Sequence, residues 1–156
     1  MRQTVIGVMG GVRCSAATAA LTEALGAAVA REGWALLTGG RPVGVMEAAS
    51  RGAANTGGLV LAVLPGPDPD EATPWAGVVI ATGMGFARNS VSVLSSTVVV
   101  ALPGSTGTLS EIAYAISYQR PVLLLGWERQ PLADFDLPMY HEVGPLMEEL
   151  RRLVGR

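Results

Sequence analysis

Short apolar segments alternate with glycine-rich loops and longer helix-like segments along most of the chain. Val5–Met9 is followed by two glycines and then by an alanine-rich stretch, residues 16–32. Similar apolar runs follow at residues 34–37, 59–64, 78–81, 98–102 and 122–125. Because these runs are continuously apolar, they are typical of strands in a parallel sheet covered on both faces. The pattern predicts one α/β domain over residues 1–156, with a doubly wound, Rossmann-like sheet of about six mainly parallel strands.

Turn and capping residues predict where the helices begin and end. Ser15 is placed to cap the first helix at its N-terminus, and Gly33 is placed to end it. Further helices are predicted over residues 43–55, 86–94 and 109–118, and from near Pro145 onward. The segment 65–75 is rich in proline and acidic residues, and we expect it to cross the sheet and begin its second half.

Composition excludes several classes of chemistry. The chain has no lysine, which rules out a pyridoxal-phosphate Schiff base and a Walker A phosphate loop. With His141 and Cys14 as its single histidine and cysteine, it can form neither a multi-histidine metal site nor an internal disulfide, and we predict no metal. A net charge of −2 argues against nucleic-acid binding. Without an apolar run of membrane-spanning length or a signal-peptide pattern, we expect a cytoplasmic protein with no membrane contact.

The sequence PGSTGTLSE, residues 103–111, lies between a predicted strand and a predicted helix, where α/β folds bind ligands. Gly104 and Gly107 allow a tight turn and a close approach of main-chain amides to an anion. A phosphate could be held in this way without lysine. The alternative is a capping box, in which Thr108 and Glu111 only begin the helix. The residues themselves favour neither interpretation over the other.

Two more loops and one arginine are predicted to reach the same edge of the sheet. Residues 38–49 (TGGRPVGVMEAA) form a second glycine-rich loop, for which an ordinary βα turn is the alternative. Arg88 lies near the start of a helix, where the helix dipole disfavours a cation, so we prefer a role in anion binding to a surface ion pair. The first loop, residues 10–15, lacks the G-x-G-x-x-G pattern, and we infer no dinucleotide from it.

These motifs resemble those of the Lonely-guy (LOG) family within the SLOG superfamily of Rossmann-like proteins. PGSTGTLSE is similar to that family's PGGxGTxxE signature, and GGRPVGVME, residues 39–47, aligns with its GGGxxGLMG loop. These two runs together with ATGMGFARN, residues 81–89, are most similar to a branch described as molybdenum-cofactor carrier proteins. Ser105, Arg41, Asn89 and Glu47 depart from the LOG pattern.

The resemblance implies a function and a set of site residues. In LOG enzymes the N-glycosidic bond of a nucleoside 5′-monophosphate is hydrolysed without a metal, and the matching catalytic pair here is Arg88 and Glu111. The predicted ligand- and phosphate-binding residues are Gly10, Gly11, Ser15, Thr38, Gly39, Gly40, Arg41, Asn89, Gly104, Ser105, Thr106, Gly107 and Thr108. We expect a phosphoribohydrolase that needs no cofactor for catalysis. The alternative is a non-catalytic carrier of a nucleotide, of molybdenum cofactor or of another phosphorylated ligand. The resemblance also implies a homodimer or homotetramer. Proteins of this family are often labelled lysine decarboxylases, but a chain without lysine cannot form the pyridoxal Schiff base which that name suggests.

Overall fold

The chain folds into one parallel sheet with helices packed on both faces, and the computed structural model describes residues 1–155. The strands are β1 Val5–Met9, β2 Ala35–Thr38, β3 Val60–Leu64, β4 Val78–Ala81, β5 Val98–Ala101, β6 Val122–Leu125 and β7 Met139–Tyr140. The helices are α1 Ala16–Arg31, α2 Gly44–Asn55, α3 Arg88–Ser95, α4 Thr106–Ser117 and α5 Val143–Val154. The strand order is β4-β3-β2-β1-β5-β6-β7.

Each face of the sheet is covered by its own set of helices. On one face, Leu25 of α1, Val45 of α2 and Leu146 of α5 are fully buried in a cluster with the strands. On the other face, Val93 of α3 and Ile112 of α4 are fully buried in a second cluster. Because both faces are covered, the inner strands can be continuously apolar, which is the pattern that the sequence shows.

The predicted doubly wound fold is confirmed, with seven strands where about six were expected. From β1 the chain proceeds outward through β2 and β3 to β4, and then returns past β1 to β5, β6 and β7. The switch point therefore lies between β1 and β5, where open α/β sheets bind ligands. The additional strand, β7, has only two residues and pairs with β6 through Leu124 and Leu125. So short a strand has no periodicity by which a sequence could reveal it.

The prediction that residues 65–75 cross the sheet is wrong. This segment contains a short 3₁₀ turn, Pro69–Glu71, and leads into β4, which pairs with the preceding strand β3. The chain crosses to the other half of the sheet later, through α3, between β4 and β5. Proline and acidic residues identify a loop, but they carry no information about which neighbour the next strand will pair with.

Helix boundaries test the capping predictions. The Ser15 side chain accepts a hydrogen bond from the Thr18 amide at 3.1 Å, and Gly33 follows the end of α1 with φ of +74°, as predicted. Helix α4 begins at Thr106, three residues before the predicted start, and its N-cap residue Ser105 makes no side-chain capping bond. The capping-box alternative is therefore wrong, because Thr108 already lies inside the first turn.

The outer edge of the sheet is unusually apolar for an exposed surface. All four residues of β4 are exposed, among them Val78, Val79 and Ile80. Phe86, in a 3₁₀ turn just beyond the end of this strand, is 79% exposed. No helix within residues 1–155 is both long and apolar enough to span a membrane.

Candidate functional site

The loops after β1 and β5 are joined to each other at the switch point. The Gly11 amide donates to the Pro103 carbonyl at 3.1 Å, and the Leu102 amide donates to the Met9 carbonyl at 2.8 Å. A Cβ at Gly104 would collide with the Thr108 hydroxyl and would lie 2.8 Å from the Gly11 nitrogen. Glycine at position 104 is therefore required by the close approach of these loops.

One side of this joint forms a small cavity of about 240 Å³, which we call the arginine pocket. The loops after β1, β2 and β5 line it, together with the N-terminal ends of α3 and α4. Its lining residues are Val8, Met9, Gly10, Gly11, Val12, Gly39, Arg41, Met46, Phe86, Arg88, Asn89, Ser105, Thr106, Gly107, Thr108 and Glu111.

The first turn of α4 supplies hydrogen-bond donors to the arginine pocket. The first amides of a helix have no acceptor within the helix, and the helix dipole favours an anion beside them. Thr106, Gly107 and Thr108 form this turn and line the pocket. The side chain of Asn89 is held against the same helix, because its amide nitrogen donates to the Ser110 hydroxyl at 2.9 Å.

The Arg88 side chain is fixed by main-chain carbonyls. Its Nη1 donates to the Gly39 carbonyl at 2.7 Å and to the Val63 carbonyl at 2.6 Å. Its Nε is buried and has no hydrogen-bond partner within residues 1–155. Burial lowers the pKa of Arg88, while the Glu111 charge opposes this shift and the Arg41 charge adds to it. A Cβ at Gly39 would lie 2.5 Å from Nη1, so the second glycine-rich loop makes room for the guanidinium.

Glu111 is the acidic member of the arginine pocket. It lies one turn into α4 and is half-buried. Burial raises the pKa of its carboxyl to about 7, and the Arg88 charge opposes the rise. Near neutral pH this carboxyl is therefore present in both protonation states, which is a property suited to proton transfer.

Glu47 links the segment 65–75, which is rich in proline and acidic residues, to the second glycine-rich loop. Its two carboxylate oxygens accept hydrogen bonds from the Thr73 hydroxyl at 2.6 Å and from the Trp75 indole nitrogen at 2.8 Å. The Thr73 amide donates to the Gly40 carbonyl at 2.7 Å. The loop that carries Gly39, one of the two carbonyl acceptors of Arg88, is thus supported by residue 47.

The structure brings together most, but not all, of the predicted site residues. The two predicted catalytic residues and nine of the predicted binding residues line the arginine pocket: Arg88, Glu111, Gly10, Gly11, Gly39, Arg41, Asn89, Ser105, Thr106, Gly107 and Thr108. Ser15 and Gly104 lie outside it and line a neighbouring cavity. Thr38 and Gly40 line neither cavity, because the Thr38 hydroxyl accepts from the Gly40 amide at 3.0 Å inside the loop.

Sequence reasoning missed the second cavity, which we call the tryptophan cavity. It measures about 720 Å³ and lies between the N-terminal end of α1 and the loop after β6. Gly11, Val12 and Ser105 line both cavities. The other residues of the tryptophan cavity are Arg13, Cys14, Ser15, Thr18, Pro103, Gly104, Gly126, Trp127, Glu128, Arg129, Gln130 and Pro131. No motif marks the loop after β6, although a tryptophan two residues after the end of the strand was a signal that could have been followed.

The fold and the loops define a Rossmann-like α/β protein with two adjoining cavities at its switch point. The chain belongs to the SLOG cluster4 family, whose sequence model matches residues 3–144. The predicted membership of the SLOG superfamily is confirmed.

Individual relatives cover between 80% and 99% of the chain. An uncharacterized protein of Archaeoglobus fulgidus is 40% identical over 125 residues, which cover 80% of this chain and 82% of the relative. The molybdenum cofactor binding protein of Rippkaea orientalis is 37% identical with a TM-score of 0.90, covering 99% of each chain. The molybdenum cofactor carrier protein of Chlamydomonas reinhardtii is 36% identical with a TM-score of 0.90, covering 99% of this chain and all of that one.

Proposed function

We propose that this protein binds molybdenum cofactor, a phosphorylated pterin, as cargo and not as a catalytic prosthetic group. The observation that carries the proposal is the similarity over 99% of the chain to two solved proteins, a molybdenum cofactor binding protein and a molybdenum cofactor carrier protein. This favours the carrier alternative over the hydrolase expected from the motifs.

The residues of the arginine pocket fit the phosphate of such a ligand. The buried Nε–H of Arg88 lacks a partner within residues 1–155, and an anionic oxygen would supply one. The first-turn amides of α4 and the hydroxyls of Thr106 and Thr108 provide further donors. Arg88, α4 and the nearby Arg41 would together hold the phosphate without lysine.

Mass spectrometry under native conditions tests the proposal. The protein would be purified anaerobically from cells that make molybdenum cofactor and from matched cells that do not. We expect an added mass equal to the intact phosphorylated pterin in the first preparation only, with release of the unaltered ligand on denaturation. The proposal fails if the two preparations have the same mass and if the protein also fails to bind the cofactor supplied in vitro.

Hydrolysis of a nucleoside 5′-monophosphate is the second candidate, and the pKa of Glu111 favours it. In its ionised form this carboxylate would accept a proton from water, whose oxygen would bond to C1′ as the C1′–N bond breaks. The base would leave with the bonding electron pair and take up the proton that Glu111 received, giving free base, ribose 5-phosphate and the regenerated carboxylate. Arg88 would hold the phosphate, and Glu111 would stabilise the cationic sugar.

Release of free base distinguishes this candidate from a carrier. Purified protein incubated with AMP, GMP, CMP and UMP would be followed by chromatography of the products. We expect Glu111→Gln to abolish any release while the protein remains folded. A wild-type protein that binds these nucleotides but releases no base would exclude the enzyme and leave the carrier.

We also propose that copies of this chain associate as a homodimer or homotetramer. The exposed apolar residues of β4, among them Val78 and Ile80, give an edge strand that another copy could cover. Light scattering coupled to size-exclusion chromatography measures the assembly. A monomer at all protein concentrations would contradict this part of the proposal.

A further inference from the structure

The arginine pocket is too small to enclose a whole phosphorylated pterin. Its volume of about 240 Å³ lies below the about 300–1,000 Å³ of typical small-molecule sites. The hydrogen-bond donors that line it include main-chain amides, hydroxyls and arginine side chains, which suit a phosphate. A ligand anchored there by its phosphate must therefore extend into another space.

The tryptophan cavity supplies that space. It measures about 720 Å³ and adjoins the arginine pocket across Gly11, Val12 and Ser105, which line both. Val12 and Ser105 are exposed, whereas Gly11 is buried where the two loops are joined. A ligand can thus pass over this joint, along Val12 and Ser105, without disturbing the hydrogen bond beneath it.

We propose that the tryptophan cavity binds the flat heteroaromatic ring of the ligand whose phosphate is held in the arginine pocket. This inference rests on the proposed function and specifies how one ligand would occupy both cavities. Trp127 would provide the stacking surface for the ring, and Gln130 would bind its polar edge.

Trp127 is suited to this role because its ring is held in place. The indole nitrogen donates to the Ala101 carbonyl at 2.8 Å, and the ring is half-buried beside the second hydrophobic cluster. A fixed aromatic ring offers its face to a ligand at little cost in side-chain entropy. A pterin ring, which is flat and polarised, is a partner that such a face can stack against.

Gln130 adds a hydrogen-bond acceptor whose side chain, like that of Trp127, is held by a bond to a main-chain carbonyl. Its amide nitrogen donates to the Leu137 carbonyl at 2.6 Å. Its amide oxygen is buried and has no hydrogen-bond partner within residues 1–155. A buried acceptor without a donor is unfavourable, and the N–H groups on the pyrimidine edge of a pterin would satisfy it.

Titration with three probes tests the inference. Inorganic phosphate, neopterin and neopterin monophosphate represent the anchor, the ring and both together, and pterin fluorescence reports stacking on an indole. We expect neopterin monophosphate to bind more tightly than either fragment, with quenched emission. Trp127→Leu should weaken its binding at least about fivefold and remove the quenching, while phosphate affinity stays unchanged. Trp34→Leu, which alters a half-buried tryptophan outside both cavities, is the matched control.

The outcomes separate this inference from the proposed function. If wild-type protein binds neither neopterin monophosphate nor molybdenum cofactor, the proposed function fails. If it binds neopterin monophosphate with the same affinity and quenching in the wild type, in Trp127→Leu and in Gln130→Ala, the ring lies elsewhere and the inference fails.

Protection of Cys14 provides a measurement on the unaltered protein, should the tryptophan variant not fold. Cys14 is the single cysteine of the sequence and lines the tryptophan cavity. Neopterin monophosphate at saturation should slow alkylation of Cys14 by N-ethylmaleimide, whereas saturating inorganic phosphate should not. Equal alkylation rates with the two probes would overturn the inference.

Discussion

The arginine pocket and the tryptophan cavity share the joined loops after β1 and β5, yet only the arginine pocket has charged groups that are held partly away from solvent. In the arginine pocket, Arg88 is fixed by two main-chain carbonyls, and Glu111 is buried enough to raise the pKa of its carboxyl to about 7. Arg41, the third charged residue of this pocket, is exposed. In the tryptophan cavity, the charged residues Arg13, Glu128 and Arg129 are all exposed.

This difference indicates a division of roles between the two cavities. Fixed and desolvated charges interact strongly with a ligand because little reorganisation or screening opposes them. Exposed charges are screened and mobile, and contribute little. We therefore expect the arginine pocket to supply most of the affinity for an anion, and the tryptophan cavity to select the group attached to it.

Removal of Arg88 should have the largest effect on anion binding. We expect Arg88→Ala to weaken inorganic phosphate and neopterin monophosphate roughly 10- to 100-fold, since a hydrogen-bonded charge is lost. Arg129→Ala, which removes an exposed arginine of the tryptophan cavity, should change phosphate affinity less than twofold. Isothermal titration calorimetry measures both.

The opposite result for these two variants would place the anion in the other cavity. If folded Arg88→Ala retains the phosphate affinity of the wild type while Arg129→Ala loses it, the anion binds in the tryptophan cavity. Thermal unfolding of each variant, followed by circular dichroism, establishes that the protein remains folded.

The two cavities also differ in how far the sequence predicts them. The arginine pocket was largely predictable, because glycine-rich loops between strands and helices have recognisable patterns and a parallel sheet brings them to one edge. Thr38 and Gly40 fell within the same pattern but bond to each other, and their sequence cannot distinguish an amide turned to a ligand from one turned to the loop.

The tryptophan cavity was not predicted because it depends on tertiary placement. The loop after β6 has no glycine-rich motif, and its approach to α1 follows from the strand order and not from local sequence. The pairing of β4 with β3 was missed for the same reason. Local apolar runs identify strands, but the neighbour of each strand is chosen by the packing of the whole sheet.

Replacement of Glu47 should weaken anion binding in the arginine pocket and leave the tryptophan cavity unchanged. The effect is indirect, because Glu47 supports the loop that carries Gly39. Glu47→Ala leaves the Thr73 hydroxyl and the Trp75 indole nitrogen without their acceptors, so we expect the free energy of unfolding to fall by about 1–3 kcal/mol. Phosphate affinity should fall a few fold, because the loop holding the carbonyl acceptor at Gly39 is loosened. Urea denaturation and calorimetry measure the two effects.

A partly exposed ion pair provides the control for Glu47. Glu23 pairs with Arg51 at 3.0 Å near the surface, and its replacement by alanine should cost at most about 1 kcal/mol. Equal destabilisation by Glu23→Ala and Glu47→Ala, with phosphate affinity unchanged in both, would show that residue 47 does not support the pocket.

The last expected effect is a pH dependence, and it concerns the arginine pocket only. Burial raises the pKa of Glu111 from its ordinary value of 4.5 to about 7. The folded state therefore favours the protonated carboxyl, and the stability that this contributes is full below pH 4.5 and is lost as the pH rises through about 7. Glu111→Gln removes this dependence, so its advantage in unfolding free energy over the wild type should grow between pH 5 and pH 8.

The affinity for sulfate, which does not titrate in this range, should depend on the ionisation of the Glu111 carboxyl. Above pH 7 the ionised Glu111 repels an anion held by Arg88, so wild-type affinity should fall a few fold between pH 6 and pH 8. Glu111→Gln should show a flatter profile, whereas Glu128→Gln, a change in the tryptophan cavity, should retain that of the wild type. Parallel profiles for the wild type and Glu111→Gln would mean that the anion lies beyond the reach of Glu111. The arginine pocket would then be excluded as the phosphate anchor, and the division of roles between the two cavities would have to be reversed.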